Sequence, residues 1–198
     1  LGRYEEAEAL YSKSIKLGST FYGPGSLQNA LAVNNLAAVY LNWGRLDQAQ
    51  TLVNQSIQIA RASKGKKSVA GPYSLCNQAK LSELKGDYKK AHSLYGQALA
   101  DATTIYGGKH PYVSMIYKHG LAPVAVKSYD YDTAEKYLQE SLNIDEATFG
   151  KDSLPYQGTE VAMASVEDSQ GKYEKSLERV QNALDIYNKI LGERQTVD

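Results

Sequence analysis

Apolar positions recur along the chain three and four residues apart, segment after segment, the spacing of a helix with one buried face. Leu46, Ala49, Leu52, Val53, Ser56, Ile57 and Ala60 form one series, and Tyr88, Ala91, Leu94, Tyr95, Ala98, Leu99 and Ala102 form another. A second kind of series alternates with these, best seen in Leu31, Val33, Leu36, Ala37, Tyr40 and Leu41. No strand pattern competes. The reading is an all-α chain of alternating antiparallel helices, named A and B. B helices are expected over about 3–21, 45–63, 87–105, 130–148 and 172–190, and A helices over about 27–42, 70–84, 113–127 and 155–169.

The alternation is a true repeat. Gly2-Arg3-Tyr4-Glu5-Glu6-Ala7 aligns with Gly44-Arg45-Leu46-Asp47-Gln48-Ala49 and with segments beginning at Gly86, Tyr129 and Gly171, at intervals of 42, 42, 43 and 42 residues. Gly23, Gly65, Gly107, Gly150 and Gly192 each follow 21 residues after the start of their own copy. A glycine takes the left-handed conformation that closes a helix at little cost, so each B series is expected to end at this second glycine. Pro24, Pro72, Pro111 and Pro155 fall before or at the openings of A helices, where a proline opens a helix without interrupting it. Pro123 falls inside the third A helix, where it is expected to remove one backbone hydrogen bond and bend the helix. Short turns at 42–45 and 85–87 force A and B into hairpins, and equivalent hairpins stack.

Asn34-Asn35-Leu36-Ala37-Ala38-Val39-Tyr40 followed by Gly44-Arg45-Leu46-Asp47-Gln48-Ala49 resembles a tetratricopeptide repeat. The 42-residue period, with linkers such as Tyr106-Gly107-Gly108-Lys109-His110-Pro111, is similar to the long repeats of kinesin light chains. The resemblance implies a right-handed α-α superhelix over residues 1–198: an orphan helix B over 1–23, then repeats 24–65, 66–107, 108–150 and 151–192, cut from a longer array. It also implies a non-catalytic scaffold whose A helices line a concave, peptide-binding groove. Carried onto this chain, the register puts Leu31, Asn34, Ala38 and Leu41 on that face, with Asn35 alongside. Tyr73, Cys76, Lys80 and Glu83 follow in the second unit, with Asn77 alongside. The third unit contributes Ile116, His119, Pro123 and Val126, and the fourth Gly158, Val161, Ser165 and Asp168. Asn34, Asn35, Ala38, Tyr73, Asn77, Lys80 and His119 are the expected peptide contacts. A side-chain amide both donates and accepts, which suits an extended peptide backbone, although the same amide can bridge adjacent helices. The position of Tyr40 carries Ser82, Ala125 and Glu167 in later units, a departure from the family pattern.

Composition narrows the partners. With 22 basic and 22 acidic residues in 198, the chain gives no general reason to bind nucleic acid, and no apolar run approaches membrane-spanning length. The balance is uneven: 7 basic and 2 acidic residues over 44–85, 5 and 2 over 86–128, then 2 and 10 over 129–170. An acidic peptide near Lys80 fits the basic stretch. An acidic patch is expected from Asp130, Asp132, Glu135, Glu140, Asp145 and Glu146, and complementary patches also permit head-to-tail self-association or assembly through the outer face. The single Cys76 excludes an intramolecular disulfide framework and suits a cytoplasmic or other reducing compartment.

Chemistry is sparse. His92, His110 and His119 form no i, i+4 pair, so no metal or other cofactor is expected. Cys76 and His119 hold equivalent positions of neighbouring A helices, but a nucleophile and base also need an orienting group and a closed pocket. Gly65-Lys66-Lys67-Ser68 lacks the upstream glycine and strand of a phosphate-binding loop and reads as a solvated basic linker.

Overall fold

A computed structural model describes residues 3–62 and 69–195. Ten α-helical segments account for these residues apart from short turns: α1 (Tyr4–Tyr22), α2 (Leu27–Trp43), α3 (Leu46–Ala62), α4 (Ala70–Leu84), α5 (Tyr88–Tyr106), α6 (Pro111–Ile116), α7 (Ala122–Lys127), α8 (Tyr131–Phe149), α9 (Leu154–Ser169) and α10 (Tyr173–Gln195). They form two compact units, Leu1–Ile105 and Tyr106–Asp198.

Each A–B turn is closed by one device. The backbone N–H of Arg45, Asp87, Asp130 and Lys172 donates to the carbonyl of Tyr40, Ser82, Ala125 and Glu167, at 2.9, 2.9, 3.0 and 2.9 Å. This six-residue bond needs a left-handed residue just before the donor, and Gly44, Gly86 and Gly171 supply it with φ of 79, 82 and 77°. In the third turn Tyr129 does so instead, at φ 61°, where its Cβ crowds the backbone. The side chains at positions 40, 82, 125 and 167 therefore differ while their carbonyls do one job. Helix starts are capped by side chains: Ser26 and Ser153 hydroxyls accept from the N–H of Asn29 and Tyr156, and His110 Nδ1 accepts from Tyr112 ahead of Pro111.

Two expectations change. The fifth marker glycine, Gly192, does not end its helix, because α10 continues to Gln195. Gly65 lies outside the described residues, as does the basic linker around it. The third A helix is not simply bent at Pro123; it is split by a π turn over Tyr117–Leu121, with the Ala122 N–H reaching back to the Tyr117 carbonyl. A π turn uses one residue more than an α turn. The one interval of 43 places an extra residue between Gly107 and Tyr129, and the π turn absorbs it just ahead of the proline that lacks an N–H.

Burial of the apolar faces holds each unit together. In the first, Leu36, Tyr40, Leu41, Ala49 and Leu81 form one cluster, and Ala30, Ile59 and Ala70 another. In the second, Ala122, Ala125, Ala134, Leu138, Leu142, Met163 and Val166 pack together. Each buried Leu, Val or Met contributes about 1.5–3 kcal/mol.

Candidate protein-binding faces

In the first unit, α2 and α4 run side by side and bring Asn34 and Asn77 together. The Asn77 amide donates to the Asn34 carbonyl at 2.8 Å and to Asn34 Oδ1 at 2.9 Å. Asn34 is 4% exposed. The pair thus bridges two A helices, while Asn35 beside it is exposed and Ala38 and Tyr73 are half-buried. Lys80 donates to both oxygens of Glu83 at 3.1 Å, and that carboxylate is buried. Burial, with Glu83 beside it, pushes the Tyr95 phenol far up. Lys80 thereby serves a buried carboxylate as well as presenting a half-buried stem to the A face.

The second unit holds two polar clusters that the pattern of the sequence hides. Asp145, placed by its charge in an acidic surface patch, is instead buried. It accepts from the Ser114 and Thr159 hydroxyls, each at 2.6 Å, with the Lys118 ammonium at 3.6 Å. Two hydroxyls and a cation compensate the burial of one charge. Glu167 is also buried, accepting from Lys175 at 2.7 Å and from Arg179 at 3.0 and 3.2 Å. Arg179 also reaches Glu160. Burial alone raises the Glu167 carboxyl, but the hydrogen bonds and charge of Arg179 and Lys175 outweigh it and hold the group below its ordinary value. Tyr173, at the start of α10, is 67% exposed.

His119 lies in the π turn of the second unit, exposed, and Cys76 in the first. Among the described residues no group of three or more His, Cys, Asp or Glu is placed to hold a metal ion, and no helix is long and apolar enough to cross a membrane. On the A face of this unit a cleft of about 230 Å³ opens between α7 and α9, lined by Pro123, Val126, Ala162, Ser165 and Val166, with Lys118 and Lys127 also on its wall.

A model of the tetratricopeptide repeat matches residues 1–62. Nearly identical TPR-like repeats of a Podosopora anserina protein assigned as a kinesin light chain superimpose on this chain with a TM-score of 0.71 at 17% identity, covering 96% of this chain and 89% of that one. The chain carries a tetratricopeptide-repeat fold and resembles kinesin light chains. Protein kinesin light chain-related 1 of Arabidopsis thaliana is 25% identical over 189 residues, 96% of this chain and 30% of that protein. A clustered mitochondria protein homolog of Candida albicans is 25% identical over 191 residues, 96% of this chain and 14% of that protein. The chain therefore spans less than a third of the length of these curated relatives. Tetratricopeptide repeats of this kind serve as protein-interaction scaffolds, and stacked helix pairs create extended binding surfaces suited to that role.

Proposed function

We propose that this protein is a non-catalytic scaffold whose A-helix face holds an acidic peptide segment carrying one large apolar side chain. The observation that carries this reading is the cleft between α7 and α9. Its apolar wall of Pro123, Val126, Ala162 and Val166 suits a hydrophobic side chain, and Lys127 suits a flanking carboxylate. Pro123, Val126 and Ser165 are the very positions that the repeat register assigns to the groove. Taken by itself, the first unit presents Asn35, Ala38, Tyr73 and Lys80 on its own A helices, with Asn34 and Asn77 setting the spacing of those helices.

The test is fluorescence anisotropy with a set of labelled nonapeptides, acidic or basic at the flanks and Leu, Phe or Trp at the centre. Acidic peptides with a central apolar residue bind the parent chain in a saturable way. Ser165→Trp, an exposed position whose new ring fills the cleft, and Lys127→Glu each weaken binding by about tenfold or more, the loss expected from blocking one anchor pocket. Equal affinity of the parent and both variants, with circular dichroism unchanged, eliminates this face as the site.

A further inference from the structure

One position of the A helix fills the space beside the preceding B helix. Asn29 in α2 is buried and lies over Gly18 of α1, where a Cβ would stand 3.2 Å from Asn29 Oδ1. Counted from the second marker glycine of each repeat, the same position carries Val113 and Tyr156 in later A helices, and Val113 is buried too. In α4 it carries Gly71. A Cβ on Gly71 would meet no atom within 4 Å, and the backbone there is not left-handed. Neither a close approach nor a turn calls for glycine, although a glycine inside a helix lowers its stability.

The missing side chain leaves a cleft of about 420 Å³ between α3, α4 and α5, its lining residues all within the first unit. Half-buried Ile57, Leu75 and Ile105 form its apolar surface, with buried Pro72 beside them. Two exposed charges stand on its walls, Arg61 from α3 and Asp101 from α5. Asp101 departs from the repeat, because the equivalent B-helix residues are Leu17, Ile59, Ile144 and Ile186. The repeat has thus lost a filling side chain at one position and gained a carboxylate at another, and both changes open onto the same cleft. A largely apolar concavity of this size with a few polar groups has the form of a small-molecule site.

We propose that this cleft binds a small zwitterionic amphiphile, an apolar α-amino acid, as a free ligand. The ligand side chain lies over Gly71, in the space that Asn29, Val113 or Tyr156 fills at the equivalent position, so groups up to the size of an aromatic ring suit it. Its carboxylate faces Arg61 and its ammonium faces Asp101, and the two opposite charges fix its direction in the cleft. The site shares no residue with the cleft between α7 and α9 and does not depend on the peptide reading above.

The probes are L-phenylalanine, L-leucine, phenylacetate and phenethylamine, titrated into the whole chain by isothermal calorimetry. Both amino acids bind saturably, and phenylacetate and phenethylamine bind more weakly by about tenfold or more, since each leaves one wall charge unpaired. Arg61→Gln weakens L-phenylalanine and phenylacetate and leaves phenethylamine unchanged. Asp101→Asn weakens L-phenylalanine and phenethylamine and leaves phenylacetate unchanged. Gly71→Val supplies the side chain found at Val113, so binding is lost while the thermal midpoint rises, which separates a filled cleft from a damaged fold. Absence of saturable binding by either amino acid, or a Gly71→Val variant that binds like the parent, overturns the proposal. An equal response of phenylacetate and phenethylamine to both charge variants overturns it as well, because the two walls then do not orient the ligand.

Discussion

Arg179 is the residue whose loss tests the electrostatic account of the second unit most directly. It donates from Nε and Nη2 to the buried Glu167 carboxylate and from Nη1 to Glu160. In Arg179→Met the aliphatic stem is retained and the charge removed. Glu167 then keeps only Lys175, whose side chain is 57% exposed and so is screened by solvent. Breaking a buried pair by removing one partner costs about 3–5 kcal/mol, and the remaining lysine brings the expected loss to about 3 kcal/mol. The assay is urea unfolding at neutral pH followed by far-ultraviolet circular dichroism. Because the folded Glu167 carboxyl is held below its ordinary value of 4.5, its stabilisation is complete above that value and is lost as pH falls through the lower, folded one. The parent therefore loses stability in that acid range, and Arg179→Met, whose carboxyl is less favoured as an anion, loses less. The double variant Glu167→Met/Arg179→Met recovers much of the neutral-pH loss, since no unpaired carboxylate stays buried. An unchanged midpoint in Arg179→Met, or a double variant as unstable as the single one, refutes the reasoning.

Two further outcomes follow from the geometry. Tyr129→Gly should raise the thermal midpoint, because a left-handed conformation costs a side-chain-bearing residue about 1–2 kcal/mol and glycine gives back part of that in chain entropy; a lower midpoint would show that the exposed ring contributes packing. Tyr156, pushed up to about 12 by burial and by Glu160, should titrate after the ordinary phenols in an ultraviolet titration. Its neutral form supplies stability that is present below pH 10.0 and is lost as pH rises towards 12, so Tyr156→Phe should flatten the alkaline decline, and an unaltered decline would contradict the assignment.

Helix positions were legible because each depends on nearest neighbours along the chain. An apolar series three and four residues apart commits a segment to a helix, and a glycine able to turn left-handed commits it to stop. The hairpins and their stacking follow from the 42-residue recurrence, and so does the extra residue between Gly107 and Tyr129. That extra residue is written in the interval of 43, although the proline alone suggests a bend where a π turn forms.

The carboxylates were not legible. Asp145 looks in sequence like a member of an acidic patch, and Glu167 like a departure from the family pattern at the position of Tyr40, yet each is drawn inside by groups from elsewhere in the chain: Ser114, Lys118 and Thr159 for Asp145, and Lys175 and Arg179 for Glu167. Whether a charge is surface or core depends on whether a partner on another helix compensates its desolvation, and no local pattern records that. The asparagines show the same division. Their type and register marked Asn34 and Asn77 as residues with a task, but only the side-by-side placement of α2 and α4 decided that they hold each other and leave Asn35 exposed.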